Sequence, residues 1–286
     1  MNIDSAKKTR AFRFESVLHP TDLNMASRTA YLHALRIGLS TRGQLGIFHV
    51  NRTGQSVSLD RLPSVRQTLV EWKSLPSGRD FLDVADLGLT LTKRVSYGRL
   101  VTQVVEECKR QHSDLLVLST HDHSSRVKFL VGSTTEALSR KSGISTLFVP
   151  QNCDGFVENN GKVTLQKVLF PVSADTNSQH ALQRLLALIE TFNVYDVEIR
   201  VFFVGKEKSF PPMGIPAERR SLFRRVTKTG PVTQTIVDYC KAWRPNLVVM
   251  STNGHNSLKD ALCGSATEQV LHQCGCPLLA VPSKLP

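Results

Sequence analysis

The stretch STNGHNSLKDALCGSATEQVL (251–271) holds the residue types that a phosphate site needs. Gly254 and Gly264 flank nine residues, and Gly264 is followed by Ser265, Ala266 and a run of helical character. Unpaired backbone N–H groups at a helix start carry the positive end of the dipole, so an anion can settle there. Glycines let the chain approach that anion closely. The same residues also fit a capping box. Ser265-Ala-Thr-Glu268 and, earlier in the chain, Ser133-Thr-Thr-Glu136 read S-x-x-E, in which the side chains satisfy those N–H groups internally. Gly143 and Gly275 would then close the helices at the C-cap. Local chemistry leaves the cap and the phosphate cradle both open.

Other arrangements offer less. His121-Asp122-His123 has the look of a metal chelate, but no further Cys/His/Asp pattern supports it. The remaining histidines are scattered without acid or nucleophile partners in sequence. There is no G-x-S-x-G nucleophile elbow and no G-x-x-x-x-G-K-S/T loop. The six cysteines form no C-x-x-C pair, and Cys274-Gly-Cys276 stands too isolated to propose ligands. They read as buried thiols in a reducing compartment.

The formal net charge of +12 raises the question of nucleic acid. The excess is spread over both halves of the chain rather than gathered in an arm. The densest cluster, AERRSLFRRVTK, places Arg219, Arg220, Arg224 and Arg225 at spacings that share one side of a helix. It reads as a solvated face rather than a phosphate-backbone contact. No apolar run approaches the length of a membrane span, which takes about 18 residues. The N-terminus, MNIDSAKKTRAFRF, lacks the apolar core of a signal peptide, so the expected compartment is the cytoplasm.

The chain repeats itself. YGRLVTQVVEECKRQHSDLLVLSTHDH (97–123) aligns without gaps on TGPVTQTIVDYCKAWRPNLVVMSTNGH (229–255), and the match continues through Gly132-Ser133 and Gly264-Ser265. Upstream, SVLHPTD (16–22) resembles KVLFPVS (167–173). A single duplication of this length means paired domains, not a solenoid. At 286 residues the chain accommodates two domains of about 140.

Within each copy, short continuously apolar segments alternate with amphipathic helical patterns. Examples are LGIFHV and DLLVLST, separated from their neighbours by SRTAYLHALRIGLST and VTQVVEECKRQ. This predicts parallel strands covered on both faces. Each copy is expected to be a doubly wound α/β domain with a five-stranded parallel sheet flanked by helices, Rossmann-like, with ligands beyond the carboxyl ends of the strands. The expected boundaries are 1–151 for the first domain, 152–164 for the polar linker that includes NCDGFVENNGK, and 165–286 for the second.

The two copies together resemble the universal stress protein family in its tandem form, over roughly residues 13–150 and 165–283. Nucleotide-binding members of that family carry Pro-x-Asp after the first strand, on the adenine side. After the fourth strand they carry Gly-x-x-Gly-x9-Gly-Ser/Thr, around the ribose and phosphates. Here the first copy has Pro20-Thr21-Asp22, and the second has Pro171-Val172-Ser173. Ser119 and Ser251 stand at the first Gly of the second motif. Asp122 stands at the second Gly in copy one, where Gly254 is retained in copy two. A carboxylate there would face the phosphates, and like charges repel.

The resemblance thus implies that copy one keeps the adenine half of the site and copy two the phosphate half. The implied nucleotide residues are Thr252, Gly254, Gly264, Ser265 and Ala266 in the second copy, with Asp22, Gly132 and Ser133 in the first. The ligand would be ATP or AMP, with no metal beyond Mg accompanying the nucleotide. The terminal strands STLFVP and PLLAVP are expected to pair across a domain interface, giving an internal pseudo-dimer that leaves room for a homodimer. The implied role is stress response or regulation in the cytoplasm, by binding rather than catalysis. A degenerate scaffold that works through protein partners is the alternative, and a basic nucleic-acid-associated protein the weaker one.

Overall fold

The computed structural model describes residues 12–51, 56–76, 83–120, 133–174, 176–252 and 265–283. In the first half of the chain the elements run β1 (Ser16–Pro20), α1 (Arg28–Thr41), β2 (Gln44–Asn51), α2 (Val65–Glu71), α3 (Asp83–Asp86), β3 (Thr90–Tyr97), α4 (Leu100–Arg110), β4 (Leu115–Thr120), α5 (Ser133–Ser142) and β5 (Ser145–Pro150). The second half runs β6 (Lys167–Val172), α6 (Gln179–Phe192), β7 (Glu198–Val204), β8 (Phe223–Lys228), α7 (Val232–Trp243), β9 (Leu247–Thr252), α8 (Ser265–Gln273) and β10 (Leu278–Pro282).

The chain divides into two compact bodies. One contains Phe14–Ser142 and Val149–Val163, and its strands lie in the order β3-β2-β1-β4, all parallel. The other contains Gly143–Phe148 and Thr164–Pro286 with the described residues of Met1–Arg13. Its parallel strands lie in the order β8-β7-β6-β9-β10. Residues 146–148 of β5 belong to this second body and pair antiparallel with β10. The arrangement is therefore mostly parallel rather than two purely parallel sheets.

The central strands are buried because helices cover both of their faces, which is why they read as unbroken apolar runs. Leu115, Leu116 and Val117 of β4 and Leu247, Val248 and Val249 of β9 are all fully buried. β3 and β8 close the parallel order of each body and are only partly buried, with Lys93, Arg94, Arg224 and Arg225 along them. Charges on such strands discourage pairing with another chain.

That placement corrects the expected arginine face. Residues 217–222 form only a short 3-10 turn, and Phe223–Lys228 is a strand, so the four arginines do not share one side of a helix. Arg219 instead pairs with Glu190 at 3.0 Å and lies over the Tyr195 ring, while Arg225 lies over Phe210. The β-branched and aromatic residues that interrupt the arginines suit a strand beside β7 better than a helix.

The duplication is visible atom by atom at the start of each sheet. Asp114 accepts the backbone N–H groups of Glu15 (2.8 Å) and Ser16 (3.3 Å). Asn246, its counterpart, accepts those of Gln166 (3.0 Å) and Lys167 (2.8 Å). Gly143 and Gly275 follow α5 and α8 with φ of +67° and +63°, the left-handed geometry of a C-cap.

Part of the stretch expected to be the polar linker is packed against the first body. Phe156 and Val157 are buried within the first body. The Phe156 N–H donates to His33 Nε2 (3.0 Å), and the Trp72 indole N–H donates to the Asn159 carbonyl (2.8 Å). Gly155, at φ +69°, passes so near His33 that a Cβ would fall 2.2 Å from its ring.

Candidate functional site at the strand ends

In each body the winding reverses beside the first strand. β2 and β3 lie to one side of β1 and β4 to the other; β7 and β8 lie to one side of β6 and β9 to the other. In open α/β sheets such a reversal opens a crevice at the carboxyl ends of the two strands. The register determines what faces what. Val17 pairs with Leu115 and Leu18 with Leu116; β1 then ends at Pro20, followed by Thr21 and Asp22, and β4 ends at Thr120. Val168 pairs with Leu247 and Leu169 with Val248; β6 then ends at Val172, followed by Ser173, and β9 ends at Thr252.

Asp22 is held by the turn that leaves β1. The Thr21 N–H donates to the Phe48 carbonyl (2.8 Å), and Thr21 Oγ1 accepts the Leu23 N–H (3.1 Å). Leu23 takes φ of +63°, and Asp22 Oδ1 accepts the Asn24 N–H (3.0 Å). The outcome is an exposed carboxylate beside the reversal point, set ahead of α1. Beneath it His19 is fully buried, with Nδ1 donating to the Val117 carbonyl at 3.0 Å. Its Nε2 has no hydrogen-bond partner among the described residues. Burial lowers the His19 pKa to about 4 despite that hydrogen bond and the Asp22 charge, so the ring is neutral at neutral pH.

In the second body the carboxylate's position holds Ser173, which is exposed. Thr252 is half-buried, and its carbonyl accepts the Ser283 N–H (2.8 Å), as the Thr120 carbonyl accepts the Gln151 N–H (3.0 Å) in the first. Ser251 Oγ donates to the Asn177 carbonyl (2.9 Å), and Asn177 Oδ1 accepts the Gln179 N–H (2.9 Å). This chain of bonds ties the end of β9 to the start of α6.

Ser265 and Ala266 are the first two residues of α8, and Ser133 is the first of α5. These helices therefore begin where the sequence motif puts their N–H donors. Gly132, Gly254, Gly264 and His121-Asp122-His123 lie outside the described residues. So do the side chains of Ser133, Glu136, Ser265 and Glu268, on which the capping boxes rest. Among the described residues, no group of three or more His, Cys, Asp or Glu side chains is arranged to hold a metal.

Asp22 thus lies past the end of β1, whose neighbour β4 ends at Thr120, and Ser173 past the end of β6, whose neighbour β9 ends at Thr252, while Asp22 and Thr252 belong to different bodies. Thr120 and Ser173 were not singled out from the sequence as contributors to the crevice. The signal was present in the repeat alignment, which matches Thr120 with Thr252 and Asp22 with Ser173, but strand order was needed to make neighbours of them.

Comparison with known proteins follows the same outline. The model of the universal stress protein family matches residues 13–150 and again residues 164–282. No curated protein matches the chain. A universal stress protein from Archaeoglobus fulgidus is 15% identical with a TM-score of 0.62, the match covering 95% of this chain and 100% of that one. A functionally unknown protein from Pseudomonas aeruginosa PAO1 is 14% identical with a TM-score of 0.64, covering 96% and 94%. These likenesses show a shared fold.

Proposed function

The chain belongs to the universal stress protein family, with two such domains in tandem, and from that premise we propose that it acts in the cytoplasm as a stress-response regulator by binding rather than catalysis. Its ligand is an adenine nucleotide, ATP or AMP, bound weakly and in the second domain. Two family domains in one chain fit an intramolecular pseudo-dimer.

The observation that carries this reading is the β6–β9 reversal, where β9 ends at Thr252 and β6 is followed by Ser173, with α8 starting at Ser265 on the far side of the motif. A helix start offers N–H donors and dipole to a phosphate, and Gly254 and Gly264 allow close approach. The donor chemistry fits the phosphates. It fits the adenine side less well, because Ser173 supplies a neutral hydroxyl where a carboxylate would accept a hydrogen bond. Losing one charge-assisted hydrogen bond costs about 1.5–3 kcal/mol, or roughly ten- to a hundred-fold in affinity. The first domain keeps its carboxylate in Asp22, but its motif carries Asp122 where phosphates would lie.

The residues assigned to the site are Thr252, Gly254, Gly264, Ser265 and Ala266. Calorimetry with ATP and AMP on the intact chain and on Gly264→Asp tests the assignment. Weak binding by the wild type and none by the variant is the expected result. Absence of heat from both, with no nucleotide co-purified, would defeat the nucleotide reading and leave a scaffold acting through protein partners.

A further inference from the structure

The cations on β3 and β8 differ in what they meet. On β3 of the first body, Arg94 pairs with the buried Glu107 (3.0 Å). On β8 of the second body, Arg224, Arg225 and Lys228 are exposed, and so is Arg220 in the turn ahead of it. Among the described residues none of these four is in a salt bridge, whereas Arg219 is held by Glu190 (3.0 Å). Arg225 lies over the Phe210 ring at 5.0 Å, and Arg224 donates to the carbonyls of Ser221 and Phe223 (3.2 Å each). These charges are held in place but not neutralised.

The backbone of β8 is used on one side. The Gly205 N–H donates to the Lys228 carbonyl (2.8 Å), and Lys228 pairs with Val204, so Lys228 turns its backbone groups toward β7. Residues alternate along a parallel ladder, so Val226 and Arg224 turn the same way. Arg225 and Thr227 then turn their N–H and C=O groups outward. Among the described residues β8 pairs with β7 alone, and no hydrogen bond reaches those outward groups. Side chains alternate as well: Arg224, the half-buried Val226 and Lys228 share one face of β8, and Arg225 lies on the other.

We propose that the outer edge of β8 takes an acidic, extended segment of a partner protein as an added strand. The segment's backbone pairs with the outward groups of Arg225 and Thr227, and its carboxylates meet Arg224, Arg225 and Lys228. An apolar side chain between two carboxylates covers Val226. The same charges repel a second copy of this basic edge, so they choose the partner rather than close the edge. A nucleic acid strand fits less well. Its phosphates suit the cations, but a sugar–phosphate chain has no regular series of donors and acceptors for the outward N–H and C=O groups. The ring beside them, Phe210, already has Arg225 over it and offers no open stacking platform on that side.

Fluorescence anisotropy of a labelled peptide, Glu-Glu-Val-Thr-Glu, titrated with the full chain tests this. Binding is expected at about 0.01 M salt and weakens toward about 0.15 M. In the double variant Arg224→Glu, Lys228→Glu it is expected to be about ten-fold weaker or more, with the melting temperature unchanged because both positions are exposed. Two versions of the peptide, N-methylated at its odd or its even amides, separate strand pairing from charge attraction. The amides that face β8 can no longer donate in one of them, so that version is expected to lose binding. The proposal is overturned if the peptide fails to bind at low salt, if the double variant binds it as well as the wild type, or if both N-methylated versions bind like the parent. A single-stranded RNA that binds where the peptide does not would overturn it in favour of a nucleic acid contact.

Discussion

Ser173 lies just past the end of β6, whose neighbour β9 ends at Thr252, as Asp22 lies just past the end of β1, whose neighbour β4 ends at Thr120. The two repeats thus present the same crevice with a hydroxyl in one and a carboxylate in the other. Replacing Ser173 with Asp returns the acceptor to the half that keeps Gly254 and Gly264. The expected effect is a gain in ATP affinity of about ten-fold or more, the size of one charge-assisted hydrogen bond. Calorimetry on Ser173→Asp measures it, and an unchanged or weaker affinity would count against the adenine-side assignment of this position.

A second relationship joins the first helix of each repeat to backbone outside the sheet strands. His33 on α1 is fully buried; it donates from Nδ1 to the Thr29 carbonyl (2.7 Å) and accepts the Phe156 N–H at Nε2. Arg184, its counterpart on α6, is also buried and donates to the Phe12 and Arg13 carbonyls (2.9 and 3.0 Å). Burial lowers the His33 pKa to about 4, against an unfolded value of 6.5. Because the unfolded chain takes up the proton first, this contribution to stability is complete above 6.5, falls as pH drops, and is gone below about 4. The loss should reach about 2 kcal/mol by pH 5. Urea unfolding of wild type and His33→Gln at pH 7.5 and 5 should show a shallower pH dependence in the variant. Parallel curves would mean that the ring is not held neutral.

Glu107, on α4, is buried and is held by Arg94 (3.0 Å), Arg110 and Gln111. Burial alone would raise its pKa, but the hydrogen bonds from Arg110 and Gln111 and the charges of Arg110 and Arg94 outweigh it and hold the carboxyl below its usual value. The stability this supplies is present at neutral pH and lost as pH falls through the depressed pKa. Both arginines are about half exposed, which screens the pairs. Glu107→Gln is therefore expected to cost about 1–2 kcal/mol at pH 7, read from the urea midpoint.

The clamps at the sheet starts differ by one atom type. Asp114 offers a charged acceptor to two N–H groups and Asn246 a neutral one. Exchanging them should have opposite signs: Asn246→Asp stabilising and Asp114→Asn destabilising, each by about 0.5–1 kcal/mol. Thermal melts of the two single variants would show this.

The duplication and the strand boundaries were legible because buried parallel strands leave continuous apolar runs, and the matched Cys108/Cys240 and Thr120/Thr252 fixed the alignment. The arginine cluster misled because i, i+1, i+5 and i+6 spacing mimics a helix face when Phe223 and Val226, which belong to a strand, are ignored. His33 and Arg184 were illegible for a different reason. His33 satisfies backbone of the connecting stretch and Arg184 backbone ahead of β1, so different side chains stand there and the repeat alignment shows no identity.

The central claim is that nucleotide, where it binds, binds to the second domain. Photo-crosslinking of the intact chain with 8-azido-ATP, mapped by peptide mass spectrometry and competed with ATP, tests it most directly. The account predicts competed label on peptides from residues 165–286, strengthened in Ser173→Asp. Competed label confined to the first repeat, around Asp22, would contradict it.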